Sequence, residues 1–443
     1  LAAKIRPCHQ TAGFVSCTPV TASSPFHPEL PSTADAAVTV VRKLAAAGHQ
    51  ALLAGGCVRD LLLGQQPQDY DVATDATPDR VCQLFHKTRK VGAQFGVVLV
   101  RKHHRWVEVA TFRSDSEYLD GRRPSQVHFS DARHDAERRD FTVNGMFLDP
   151  LSHRLIDYVG GRQDLKAGLI RAIGEAAARF AEDHLRLIRA VRFAARLGFD
   201  IEPATLAALK ANAPALVAVA AERVREELEK MLTHPTRRRV FDLLVDSGLL
   251  PYLWEGARWR SEQIAAAGEL LAGLPERASF PLAFAALVAD RRAAEIQQIC
   301  RSLTCSNEQR ETIVWLVEHQ GDLDEPQRIT LADLKRLLAH PAFSALRAWA
   351  ETRYTNTPNE KQRRELLTRR VSAIAPEAIQ PPPLVTGDDL AARGVRPGPI
   401  YKRVLNALYT RQLNETLATR EEALQALDEL LAGTLNEQTN SNE

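Results

Sequence analysis

The sequence predicts an α+β protein, with a small head of strands and short helices followed by a long helical remainder. Three observations predict it. From about residue 34 to 160, apolar runs of strand length alternate with short helical patterns punctuated by glycine and proline. After Leu165 helical periodicity continues nearly to the end, rich in Ala, Leu, Arg and Glu and broken by prolines 235, 251, 275 and 281. The length, 443 residues, allows several domains, each with its own core. No internal repeat of fixed period occurs.

Taken in order, residues 1–33 are rich in Ser, Thr and Pro and carry no acid before Glu29, which predicts a flexible extension. Its slight transit-peptide character is weakened by having only Lys4 and Arg6 as strong bases. The apolar run 51–54 predicts a strand, and Gly55 and Gly56 let the backbone turn sharply and bring N–H groups close to a phosphate. Val58 to Leu63 predicts a short helix closed by Gly64. Pro67 restarts an extended segment, and alternation along a strand puts Asp69 and Asp71 on one face. An Asp-x-Asp pair alone is common on solvated turns. Beside a glycine turn and an arginine it points further, because two adjacent carboxylates repel unless a cation lies between them, and oxygen-only ligands suit Mg²⁺. Such a site can clamp the attacking and leaving oxygens of a phosphoryl displacement. Arg59 faces the same turn and could take a phosphate in bidentate fashion.

Trp106 to Thr111 predicts a strand that carries Glu108. His103 and His104 predict an exposed basic turn, since no second cluster has zinc spacing. Gly92 to Gly96 predicts a supporting turn, and the polar run 113–130 a mobile loop able to close over a ligand. Arg138, Arg139 and Asp140 suit triphosphate and ribose hydroxyl contacts. From Glu182 to Arg196 a helix is expected. Arg186, Arg189, Arg192 and Arg196 would line one side, and Leu185, Ile188, Val191 and Ala195 the apolar side. Asp183, one turn before Arg186, would complete a donor–acceptor edge able to read a nucleobase without a template strand. Net charge is only +2, so nucleic-acid binding would depend on local patches, with Arg122-Arg123, Arg237 to Arg239 and Arg291-Arg292 as candidates. Six cysteines without a Cys-x-x-Cys pair predict reduced thiols in a cytoplasmic protein. No apolar run approaches a membrane span.

Gly55-Gly56-Cys57-Val58-Arg59-Asp60 followed by Asp69-Tyr70-Asp71 resembles the signature of class II nucleotidyltransferases, the bacterial tRNA CCA-adding enzymes and their poly(A) polymerase relatives. Arg138 to Met146, Glu182 to Arg196 and Glu222 to Leu228 resemble the later motifs of that family, in order, so the likeness spans about residues 50 to 230. The resemblance implies a polymerase-β-like head over 34–160, a helical neck over 161–230, a tRNA-binding helical body over 231–375 and a helical tail over 376–443, with Pro381 to Pro383 at the last joint. It implies Mg²⁺ on Asp69 and Asp71, with Glu108 as third carboxylate. It puts triphosphate and ribose on Gly56, Arg59, Arg139 and Asp140, base choice on Asp183 and Arg186, and phosphate and sugar contacts on Arg189 and Arg192. The partners it implies are tRNA, CTP and ATP, with neither a membrane nor an obligate protein partner.

Within the family, the loop at 113–130 favours an enzyme able to add the terminal adenosine. Gly92-Ala93-Gln94-Phe95 lacks the two bases usual in poly(A) polymerases, and the segment from Pro382 to Leu424 resembles the tail of CCA-adding enzymes. Asn144-Gly145-Met146 departs from the commoner Asn-Ala, which leaves a poly(A) polymerase as the alternative. A relative that kept the fold but lost catalysis is disfavoured, because a dead site has no reason to keep two repelling carboxylates. No His-Asp phosphohydrolase constellation follows the head.

Overall fold

The structure is a computed structural model that describes residues 30–91, 96–115, 127–353 and 358–440. The expected flexible extension, except for its last few residues, lies outside the described residues, as do Gly92 to Phe95, Arg122 and Arg123. The described chain forms two compact units. The first runs through Val219 and includes Ser247–Leu249; the second comprises Ala220–Asp246 and the chain from Leu250 onward.

In the first unit, α1 (Asp35–Ala46) precedes β1 (Ala51–Ala54), α2 (Gly56–Leu62), β2 (Asp71–Thr74) and α3 (Pro78–Leu84). Then follow β3 (Thr88–Lys90), β4 (Val97–Lys102), β5 (Arg105–Thr111), β6 (Arg113–Asp115), β7 (Val127–Phe129), α4 (Ala132–Glu137), β8 (Met146–Asp149) and β9 (Arg154–Asp157). Seven strands make one mixed sheet in the order β3-β4-β5-β2-β1-β8-β9. Helix α1 packs Val40, Val41 and Leu44 across one face, against strands β1, β2, β4 and β5. The opposite face is closed at the β1–β8 end by Ala132 and Ala136 of α4, which cluster with Leu52, Ala54, Ala73, Phe112 and Phe147. Strands β6 and β7 pair as a separate ribbon, so the ends of the expected loop 113–130 are tied together.

Helices α5 (Gly161–Ala167), α6 (Ala176–Glu182), α7 (Leu185–Leu197) and α8 (Pro203–Asn212) complete the first unit, with a two-residue strand pair, Leu169–Ile170 and Asp200–Ile201. In the second unit helices are the only regular elements among the described residues, from Ala221–Leu232 to Arg420–Asn440, and its last helices enclose a small core of Val385, Leu390, Val404, Leu408 and Leu427.

Several expectations need correction. Asp69 is not in a strand: β2 begins at Asp71, and Pro67 to Tyr70 is irregular. The alternation survives because Tyr70 is buried and hydrogen-bonded to Thr33, while Asp69 and Asp71 both face outward. The helix expected over Glu182 to Arg196 is two helices. Asp183 is extended (φ −144°, ψ 103°) at the break between the two helices, where its carboxylate accepts the Leu185 N–H at 3.1 Å, so it does not share a helical face with Arg186. Arg237 and Arg291 form no surface patch. Arg237 is buried and donates to the carbonyls of Leu232, Leu274 and Glu276. Arg291 is buried over the Trp259 ring and pairs with Glu295.

Candidate active site

Register assembles the site. Ala54 lies opposite both Phe147 on β8 and Asp71 on β2; Asp71 lies opposite Glu108 on β5; Glu108 lies opposite Leu99 on β4. Asp71 and Glu108 are therefore neighbours on one sheet face, with Asp69 beside them. Burial and the Glu108 charge push the Asp71 carboxyl up to about 6, and burial with the Asp69 charge raises that of Glu108. These three oxygen donors suit a hard divalent ion, and their repulsion is what such an ion would relieve. No three His, Cys, Asp or Glu side chains among the described residues converge as a complete metal cage.

Beside the carboxylates the chain leaves β1 through Gly55, whose φ of 73° favours glycine. A Cβ there would lie 2.9 Å from Arg139 Nη1, so glycine also lets the arginine approach the turn. Gly56 opens α2, which Gly64 (φ 69°) closes as expected.

The expected nucleotide ligands are tied into one network. Asp135, on the buried side of α4, accepts from Arg138 (2.6 Å) and Arg139 (2.9 Å), and these cations hold its carboxyl below the usual range despite its burial. Arg139 also donates to the Asn144 carbonyl and sits over the Phe147 ring. Arg59 is buried, with its fork bound to Asp60 (2.8 Å) and to the Asn144 side chain (2.6 Å). The Asn144 amide donates to Asp140 (3.0 Å), which also accepts two bonds from Arg189, at 2.9 and 2.6 Å. Burial alone would raise Asp140; Arg189, Asn144 and the Phe141 N–H overcome it and hold the carboxyl down at about 2.

Arg186 is bound elsewhere than expected. It donates to Glu182 (2.6 Å), the Arg179 carbonyl and the Arg138 carbonyl, not to Asp183. Arg192 is buried against Phe193, and only Arg196 of the expected stripe is exposed. Three organising residues were missing from the expected ligands: Asp135, Asn144 and Glu182. For Asp135 and Glu182 the signal was an acid three or four residues ahead of an arginine on a helix. Asn144 stands in the motif from Arg138 to Met146, but nothing local shows that it joins Arg59 to Asp140.

A mixed sheet that sets neighbouring carboxylates beside a glycine turn and a braced arginine defines the head of a nucleotidyltransferase. Residues 51–171 match the poly A polymerase head domain, and residues 198–258 match the probable RNA and SrmB-binding site of polymerase A. A CCA-adding enzyme of Geobacillus thermodenitrificans is 35% identical over 407 residues, 88% of this chain and 95% of that protein. One of Streptococcus mutans serotype c is 34% identical over 405 residues, 89% of this chain and 96% of that protein. Among solved structures, the Bacillus stearothermophilus CCA-adding enzyme in complex with CTP aligns with a TM-score of 0.76 at 29% identity, covering 93% of this chain and 100% of that one. The chain belongs to the family of CCA-adding enzymes and poly(A) polymerases, the class II nucleotidyltransferases. No helix among the described residues is long and apolar enough to cross a membrane.

Proposed function

We propose that this chain is a template-independent tRNA nucleotidyltransferase that adds CCA, or its terminal A, to tRNA 3′ ends from CTP and ATP. The observation that carries the reading is the register of Asp71 opposite Glu108, next to Gly55 and Arg139. Similarity to CCA-adding enzymes over nearly the whole chain supports tRNA as substrate, and the relative solved with CTP supports the nucleotide.

In this reading the 3′ hydroxyl of tRNA attacks the α-phosphate of the incoming nucleotide. A phosphodiester bond forms and pyrophosphate leaves. Asp69 and Asp71, with Glu108, would hold Mg²⁺, which when bound stabilises the attacking and leaving oxygens. Gly56 and Arg139 would receive the triphosphate, since Asp135 fixes Arg139 without occupying its Nη1 with a carboxylate. Arg59 would act from behind, orienting Asn144 and Asp140 toward the ribose. Asp183 and Arg186 would choose the base, while Arg189 and Arg192 hold its surroundings. The helical second unit would bind tRNA by shape and backbone, a mode that needs few base contacts.

The test supplies Mg²⁺, each nucleotide, and tRNAs that lack CCA, lack only the final A, or are complete. A single completed CCA supports the reading, and A added only to a CC end narrows it to the last step. Long A tracts on any RNA would establish instead a poly(A) polymerase.

A further inference from the structure

The sheet face that carries the carboxylates continues past them. The register row that runs from Phe147 through Ala54, Asp71 and Glu108 goes on to Leu99 of β4 and Arg89 of β3. Trp106 precedes Glu108 by two residues on β5, so both point to this face, about 7 Å apart along the strand. Arg101 lies opposite Trp106 across the β4–β5 pair. Trp106 is 39% exposed, unusual for so large an apolar side chain. Its ring carries the guanidinium of Arg89 at 4.7 Å and that of Arg101 at 5.9 Å. Neither arginine has a carboxylate partner among the described residues, whereas Lys90 beside them is paired with Asp79.

Topology says which reactant belongs on this side. Gly55, Gly56 and Arg139 lie on the β1–β8 side of the carboxylates, so the triphosphate and its departing pyrophosphate belong there. In an in-line displacement the attacking oxygen enters opposite the leaving group. The 3′ hydroxyl must then arrive from the β5–β4–β3 side. An exposed indole flanked by unpaired guanidiniums is the combination that binds single-stranded nucleic acid, through base stacking and phosphate contacts.

We propose that Trp106, Arg89 and Arg101 form the landing platform for the 3′-terminal strand of the substrate RNA, with a base on the indole and phosphates on the two arginines. Both arginines are exposed and already gathered beside the indole, so a base stacking on the ring would move Arg89 from over the ring to its edge, within reach of the flanking phosphate. These are positioning residues; they touch the RNA strand but not the reacting phosphate. The assignment rests on the transfer reaction proposed above.

The experiment uses the full chain, a tRNA ending in CC, and a fluorescent single-stranded RNA with the same end. Trp106→Ala and the double variant Arg89→Ala/Arg101→Ala should each raise KM for the tRNA and Kd for the oligonucleotide roughly tenfold. KM for ATP, and kcat at saturating tRNA, should stay within about twofold of wild type. Trp106→Phe should recover most of the loss, which a merely structural role would not predict from ring chemistry. The double variant should also flatten the dependence of log Kd on log salt by about 1.4, two single-strand phosphate contacts. An active wild type whose variants keep KM and Kd unchanged overturns the platform and leaves the transfer reaction standing. A wild type that adds no nucleotide, yet loses oligonucleotide affinity in the variants, overturns the reaction and keeps the platform.

Discussion

Asp140→Asn separates charge from shape at the point where the head is tied to α7. The Asp140 carboxyl falls from an ordinary 3.8 to about 2, roughly two pKa units. At about 1.4 kcal/mol per unit, the ionised carboxylate contributes about 2.5 kcal/mol to folding at neutral pH. The sign follows from the direction. A carboxyl lowered in the folded state stabilises fully above its unfolded value, and the contribution is lost as pH falls through the folded one. Asparagine keeps the volume and can still accept the Phe141 N–H, but offers Arg189 no charge. The variant should therefore lose about 2–3 kcal/mol at pH 7. The difference should shrink to under about 1 kcal/mol near pH 2, where the wild-type carboxylate is itself half protonated. Urea unfolding of both proteins across this pH range measures it. In a cycle with Arg189→Gln, the double variant should lose about 2 kcal/mol less than the sum of the singles, because either single change leaves a group without its partner. A loss independent of pH, or strict additivity, would refute the argument that this ion pair joins the head to the helix.

Three further outcomes are expected. Asp71→Ala should cut nucleotide transfer by roughly a thousandfold or more while CTP binding, followed by equilibrium dialysis, persists; near-normal turnover would remove the metal reading. Because burial and Glu108 raise Asp71 to about 6, protons should compete with a divalent cation only below that pH. Its affinity, read by calorimetry, should fall about tenfold per pH unit on the acid side and level off above it. Gly161→Ala would put a Cβ 2.2 Å from the Thr142 carbonyl oxygen and 2.8 Å from Met146 Cγ. That should destabilise the first unit by about 2–3 kcal/mol and displace the turn that presents Asn144, lowering the melting temperature.

The parts of this molecule legible in the sequence are those set by local backbone chemistry. The glycine turn, α2 and its closing Gly64, the strand that carries Glu108 and the exposed histidine turn follow from residues within a few positions of each other. The histidine turn is a tight one, with His103 and His104 both at positive φ (44° and 63°) between β4 and β5. What was not legible is which partner each charged fork would choose. Arg189 meets an aspartate 49 residues away, and Arg186 a carbonyl 48 residues away. A stripe of arginines on a helix reads as a solvated face unless long-range acids and carbonyls are known. Trp106 was read only as part of a strand, because whether an aromatic is exposed depends on which face the other elements cover.

The same limit bears on base choice, where the structure changes the problem. With Asp183 in an extended linker and Arg186 on α7, the two do not share a helical face, so their spacing comes from the break between α6 and α7. Arg186 Nη1 is occupied by Glu182 and the Arg179 carbonyl, and Nη2 by the Arg138 carbonyl. A base that accepted a hydrogen bond from either nitrogen would have to share or replace one of these partners. Glu182 is the one most easily displaced, being a side chain that also pairs with Arg179 at 2.9 Å and so would not be left alone. Releasing it would free one N–H of Arg186 while the Arg179 and Arg138 carbonyls keep the guanidinium in place. Glu182, not Asp183, is the carboxylate that pairs with Arg186 in this structure, and on the proposed reading it is the partner a nucleobase would have to replace.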